Sequence, residues 1–277
     1  MTASPDPVDI VEQAVLARYA EPRPRHMLVI GICGPQGSGK STLTGQLEER
    51  MGAQGLRVAT LSLDDLYLPH QARKVLAETV HPLLATRGVP GTHDVALGIA
   101  TLDALDRGEP TALPRFNKGA DSPIPQEEWP VIGNGVDVLL FEGWCVGARP
   151  GEEAALAEPV NALERDDDAD GRWRRGVNEA LAGPYQTLFG RIDFQILLAI
   201  PDFGWVRDWR VEQEHTSRRL LTAAQRPQDK LMSDEQIARF IQFYQRLTMH
   251  AVAEMRGRAD LVLDLGSRRE VLSVTAN

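Results

Sequence analysis

Eight residues, Gly34-Pro35-Gln36-Gly37-Ser38-Gly39-Lys40-Ser41, constrain this chain more than any other stretch. They fit G-x-x-x-x-G-K-[ST], a glycine-rich loop whose peptide N–H groups cradle phosphate oxygens. Glycine lets the main chain turn through angles closed to other residues and approach a ligand closely. The following helix starts at the loop, and its dipole favours negative charge there. The pattern assigns Lys40 to the β and γ phosphates and the Ser41 hydroxyl to Mg²⁺. Gly34, Gln36, Gly37, Ser38, Gly39 and Thr42 complete the expected nucleotide-binding set. The flanks agree with the motif. Residues 27–33 (MLVIGIC) form a short apolar run, as a buried parallel strand does. Residues 42–50 place Leu43 and Leu47 four apart, on one helical face. A chance glycine-rich turn supplies neither flank.

The chain has 277 residues, 43% hydrophobic and 25% charged, ordinary for a globular α/β protein. A net charge of −9 argues against a general nucleic-acid grip, while leaving a local phosphate site possible. Cys33 and Cys145 are the only cysteines, too few for a disulfide framework, which fits a reducing cytoplasm. The first residues lack a basic region followed by an apolar core, and no apolar run reaches membrane-spanning length. The expectation is a cytoplasmic monomer or homodimer with a small-molecule substrate, binding neither membrane nor nucleic acid.

Along the chain, Val8, Val11, Val15 and Tyr19 follow helical spacing, ended by Pro22 and Pro24. Residues 1–25 therefore read as an N-terminal amphipathic helix, and 26–277 as a single domain. A second strand, 57–63, runs into Asp64 and Asp65. Carboxylates at the carboxyl end of a strand are placed to meet a phosphate and an acceptor hydroxyl; an Asp pair also caps helices. Thr92 or Asp94 is expected to cap a helix over 95–106. His93 either faces a substrate or is a satisfied loop histidine. Arg115 and Lys118 flank Phe116 and could hold an anionic group. A third strand, 136–141, is followed by Glu142, the expected second partner of Mg²⁺. Residues 148–171 read as a solvated loop and 173–189 as a helix. A fourth strand covers 194–200. A helix over 202–221 carries Arg210, Arg218 and Arg219, candidates for a lid over the phosphates. Ser233 and Gln236 suggest a capping box opening a helix to about Arg256, before a fifth strand at 261–265. The expected fold class is α/β: a P-loop NTPase fold, a mostly parallel twisted sheet of about five strands, helices on both faces and a helical lid.

The assembled motifs resemble the D-glycerate 3-kinase family, within the larger group of phosphoribulokinase, uridine kinase and pantothenate kinase. The matching stretches are GICGPQGSGKST (31–42), LSLDDLYLP (61–69), RGVPGTHD (87–94), LPRFNK (113–118), FEGWCVG (141–147) and WRVEQEH (209–215). The resemblance implies ATP- and Mg²⁺-dependent phosphoryl transfer to a hydroxyl of a small anionic acceptor, D-glycerate first. Another acceptor of the same group (pantothenate, a nucleoside or a sugar phosphate) and an ATP-switched binding factor are the alternatives. It implies catalytic roles for Asp64 and Lys40, and a nucleotide contact for Arg218. It implies acceptor contacts for Tyr67, His93, Arg115, Lys118, Glu142, Trp144 and Arg210. It departs from the family pattern at Asn117 and Leu66, where Asp and Phe are expected.

Overall fold

The computed structural model describes residues 6–23, 25–133, 135–223 and 231–277. Helix α1 (Pro7–Ala20) starts at Asp6, whose side chain accepts from the Val8 N–H at 2.9 Å. It buries Val8, Val11 and Val15, as their spacing predicts; Pro24 lies outside the described residues. The chain then forms β1 (Leu28–Cys33), the phosphate loop, α2 (Lys40–Ala53) and β2 (Val58–Ser62). A 3₁₀ turn at Leu63–Leu66 leads to α3 (His70–Thr79) and α4 (Val95–Asp106). Of the two cap candidates for α4, Asp94 does the capping, accepting from Leu97 N–H, while the Thr92 hydroxyl accepts from Gly88 N–H.

Two short antiparallel pairs follow, β3 (Thr111–Ala112) with β6 (Val131–Ile132) and, enclosed between them in sequence, the hairpin of β4 (Phe116–Asn117) with β5 (Ser122–Pro123). Next come β7 (Val138–Gly143), α5 (Ala162–Asp167), α6 (Arg172–Ala182), α7 (Pro184–Phe189) and β8 (Phe194–Ala199). The chain ends with α8 (Gly204–Ala223), α9 (Asp234–Phe240), α10 (Gln242–Met255), β9 (Leu261–Leu265) and β10 (Val271–Ala276).

The main sheet has six strands in the order β10-β9-β8-β1-β7-β2. All neighbours pair in parallel except β9 and β10. Every residue of β1 and β7 is buried. Side chains alternate between the faces of a strand, so both faces of the sheet centre are covered. In register, Ile32 sits opposite Glu142, and Glu142 opposite Ser62. The carboxyl ends of β1, β7 and β2 thus finish side by side, and the phosphate loop, Glu142 and the Asp64 turn leave them together.

The structure departs from the sequence expectation in several places. β10 is a sixth strand; after Val271 its residues are exposed, so no buried face imprints a pattern. Glu142 lies within β7 rather than after it. The 173–189 helix breaks at Gly183-Pro184, since proline cannot continue a helix. The capping box at Ser233 forms, but a break at Ile241 divides the helix it opens.

Residues 148–171 are not simply a solvated loop. Asp168 is 1% exposed and accepts from the backbone N–H of Trp173 (2.7 Å) and Arg174 (3.2 Å), closing the start of α6. It also pairs with the buried Arg174 guanidinium at 2.9 Å. Removing one partner of a buried pair leaves the other charge uncompensated. Asp168→Ala should cost about 3–5 kcal/mol in urea unfolding. The exposed Asp166→Ala should stay within about 0.5 kcal/mol of the parent.

Candidate active site

Gly37 (φ +77°) and Gly39 (φ +93°) take left-handed backbone angles. A Cβ on Gly37 would lie 2.7 Å from Trp209 Cβ, so α8 packs directly on the loop. Gly39 is the N-cap of α2 and offers no side chain, which leaves the first-turn N–H groups open to an anion. Lys40 is 9% exposed, and its ammonium donates to Gly34 O (2.8 Å) and Pro35 O (3.0 Å). Gln36 Oε1 and Ser38 Oγ are buried without a hydrogen-bond partner among the described residues. Such orphaned polar atoms are costly unless a ligand meets them. The loop therefore fits a bound nucleotide.

The Ser41 hydroxyl donates to Glu142 Oε1 at 3.3 Å. Glu142 is 6% exposed. A buried carboxylate facing a hydroxyl suits a cation between them. Both expected metal partners are thus brought together.

Asp64 and Asp65 separate in role. Asp65 accepts from Phe116 N–H at 3.1 Å and faces Arg115 at 3.5 Å, so this pair anchors β4. Arg115 is turned toward Asp65. Asp64 instead faces the cleft, in a turn opened by Ser62, whose hydroxyl accepts from Asp64 N–H. Its Oδ1 accepts from the Tyr67 hydroxyl at 2.6 Å, and its Oδ2 from Lys118 at 2.5 Å. Burial pushes the Asp64 carboxyl up, but the Lys118 charge and hydrogen bond, aided by Tyr67, outweigh it and hold the group at about 2.

Tyr67 is held in turn. It stacks on His93 (centroids 4.7 Å apart) and meets Phe116 edge-on. His93 is 5% exposed, and burial holds its imidazole down at about 4, so it is neutral near pH 7. The Tyr185 hydroxyl accepts from Gly91 N–H and lies 2.6 Å from His93 Nδ1. Its single proton therefore goes to Nδ1, which places the histidine proton on Nε2. His93 supports Tyr67 from behind. Trp144 is also mostly enclosed, its Nε1–H donating to Gly88 O at 2.9 Å and its ring meeting Tyr244 edge-on.

Lys40, Ser41, Asp64, Glu142, Lys118 and Arg210 border one cavity of about 180 Å³. On one side it adjoins a nucleotide pocket, formed by the phosphate loop, Gln213, Thr216 and Arg269. On the other it adjoins a pocket lined by Asp64, Tyr67, Arg73, Arg87, Asp121 and Tyr244. Of the three arginines expected as lid candidates, Arg210 enters the cleft; its Nε is buried without a partner among the described residues, and its guanidinium pairs with Glu214 at 3.2 Å. Arg218 and Arg219 lie on the exposed side of α8, Arg218 donating to Met232 O.

Arg73, Arg87, Asp121, Tyr244 and Arg269 were not among the expected site residues. Arg87 opens the RGVPGTHD stretch and was the most accessible to sequence reasoning. Arg269 stands in the β9–β10 turn at φ +67° and donates to Gly37 O at 2.6 Å, which ties that turn to the loop.

These features define a P-loop kinase for small molecules. No family model matches the chain. The uncharacterized kinase mug58 of Schizosaccharomyces pombe is 32% identical over 251 residues, 85% of each chain. The chloroplastic D-glycerate 3-kinase of Arabidopsis thaliana is 32% identical over 227 residues, 78% of this chain and 46% of that protein. The structure of D-glycerate 3-kinase from Cryptococcus neoformans is similar with a TM-score of 0.80 at 26% identity, over 99% of this chain and 100% of that one. The chain belongs to the same family of P-loop kinases as mug58, and it is similar in sequence and fold to D-glycerate 3-kinases. No helix among the described residues is long and apolar enough to cross a membrane.

Because the Asp64 pKa is lowered on folding, its contribution to stability is complete above about pH 4 and is lost as pH falls toward 2. Asp64 is ionised near neutral pH. Lys118→Met removes the charge that holds it down, so the acid limb of the kcat/KM profile should move to higher pH. An unmoved limb would contradict the pairing.

Proposed function

We propose that this kinase transfers the γ-phosphoryl group of ATP, with Mg²⁺, to a hydroxyl of D-glycerate. The observation that carries the reading is the convergence of Arg73, Arg87, Lys118 and Arg210 on the pocket beside Asp64, one cavity away from Lys40. A pocket so cationic suits a small acceptor with an anionic group. The names of the relatives from Arabidopsis and Cryptococcus support a hydroxy acid.

In this reading the loop N–H groups and Lys40 hold the donor phosphates. Ser41 and Glu142 would hold Mg²⁺, which when bound neutralises phosphate charge. Asp64, already ionised, accepts a hydrogen bond from the acceptor hydroxyl, aims it in line, and takes its proton as the new bond forms. Tyr67 fixes the rotamer of Asp64, and Arg210 meets the charge spreading over the transferring group. Positioning and charge neutralisation supply most of the rate. Residues 26–277 act as one kinase domain, with the N-terminal helix packed on α2. The buried, unpaired Cys33 and Cys145 are consistent with a reducing cytoplasm. The oligomeric state is read as monomer or homodimer.

The test is ADP release from Mg²⁺-ATP with D-glycerate, beside pantothenate, uridine and ribulose 5-phosphate. D-glycerate alone should stimulate turnover strongly. Stimulation by another compound would move the acceptor. Slow hydrolysis that no acceptor changes would point to a nucleotide-switched binding factor. Asp64→Asn should lower kcat by about 10²-fold or more with little change in the KM for ATP. An unchanged kcat would remove Asp64 from the mechanism.

A further inference from the structure

The acceptor pocket already contains an anion of its own. Asp121 stands in the turn joining β4 to β5 at φ +55°, an angle that residues other than glycine seldom adopt. Its Oδ1 accepts from Arg87 at 2.5 Å, while its Oδ2 lies 2.6 Å from Arg73 and 3.1 Å from His70. A single carboxylate thus holds both arginines that line only the far end of the pocket.

The two arginines are held differently. Arg73 is 1% exposed and fixed by carbonyls, donating to Leu68 O at 3.1 Å and Ala85 O at 2.6 Å. Its NH2 group is ion-paired with Asp121 at 2.6 Å but makes no aligned hydrogen bond among the described residues. Arg87 is about a quarter exposed and bonds to the same turn, through Asp121 and Lys118 O at 3.2 Å. It can leave Oδ1 without disturbing the Arg73–Oδ2 pair.

We propose that Asp121 is an internal stand-in for the acceptor's carboxylate, and that Arg87 exchanges Asp121 for that carboxylate when the acceptor binds. This rests on reading the pocket as the site of a hydroxy acid. Arg210 and Lys118 also line the transfer cavity, whereas Arg87, Arg73 and Asp121 do not. The carboxylate end therefore belongs at Arg87, and the reacting hydroxyl at Asp64. The exchange also sets selectivity. A neutral polyol cannot replace Asp121 on Arg87, but a carboxylate can, at the cost of competing with it. Removing the internal anion should strengthen carboxylate binding, because a competing state is lost.

Calorimetric titration with D-lactate, without ATP, tests this. D-lactate carries the carboxylate but lacks the terminal hydroxyl, so it reports binding alone. Asp121→Asn should bind it about tenfold tighter than the parent, and Arg87→Gln about tenfold weaker, within the usual range of coupling between linked equilibria. Asp121→Asn leaves Arg73 without its counter-charge and could fold poorly. Asp121→Gly removes the carboxylate while relieving the left-handed backbone angle, and should tighten binding likewise. Weaker or unchanged binding in both folded Asp121 variants would overturn the exchange, since a carboxylate that merely steadies Arg87 predicts loss. Tighter binding in a protein that leaves D-glycerate unphosphorylated would uphold the exchange and remove D-glycerate as the acceptor.

Discussion

The open amino end of α2 is the constraint on which the rest of the structure depends. Gly39 caps the helix in a left-handed conformation with no side chain to satisfy the first N–H groups. An anion there is favoured by geometry and by the helix dipole. The sheet serves that point. β1 delivers the loop from the sheet interior, β7 beside it delivers Glu142, and β2 beyond delivers the Asp64 turn. Ligands of open α/β sheets bind beyond the carboxyl ends of the strands, where the loops diverge. Trp209 and Arg269 then press α8 and the β9–β10 turn against Gly37 from the opposite side.

A second principle governs the acceptor side. Positive side chains gather where an anionic substrate and a transferring phosphoryl group would meet, and each is balanced by a carboxylate of the chain. Lys118 faces Asp64, Arg87 and Arg73 face Asp121, and Arg210 faces Glu214. An unbalanced charge would be most expensive at Arg73 and Arg210, the most buried of these cations. The same pairing keeps Asp64 ionised, in the state that can accept a hydrogen bond from a hydroxyl. It is also why the turn between β4 and β5, which supplies Lys118 and Asp121, is joined to the cleft mainly through polar contacts.

Much of this was legible in the sequence, for identifiable reasons. The loop, its strand and its helix form a local pattern in which each residue type answers a local demand. Glu142 and Asp64 were readable because each ends an apolar run, and the carboxyl end of a strand is a known address in such sheets. The sequence around His93 fits either a substrate contact or a loop histidine, and its ring lies behind Tyr67, satisfied on one nitrogen by Tyr185. Arg73, Arg87, Asp121 and Tyr244 were missed because they come from four distant segments and share a pocket only through the fold. Nothing near Arg73 marks it; a buried arginine on a short helix resembles a solvated one until its carbonyl partners are known. β10 escaped for the opposite reason, as a mostly exposed edge strand bears no hydrophobic alternation. Asp168 belongs to an acidic run with the composition of a solvated loop, and only its contacts at the start of α6 set it apart.

The central claim is that one cleft carries the phosphoryl group from the loop to an acceptor held against Asp64. A crystal structure with a non-hydrolysable ATP analogue, Mg²⁺ and D-glycerate tests it most directly. The account predicts the γ-phosphorus in the cavity between Lys40 and Asp64, with an acceptor hydroxyl on the Asp64 carboxylate and the acceptor carboxylate at the Arg87 end. An acceptor bound away from Asp64, or a triphosphate outside the loop, would contradict it.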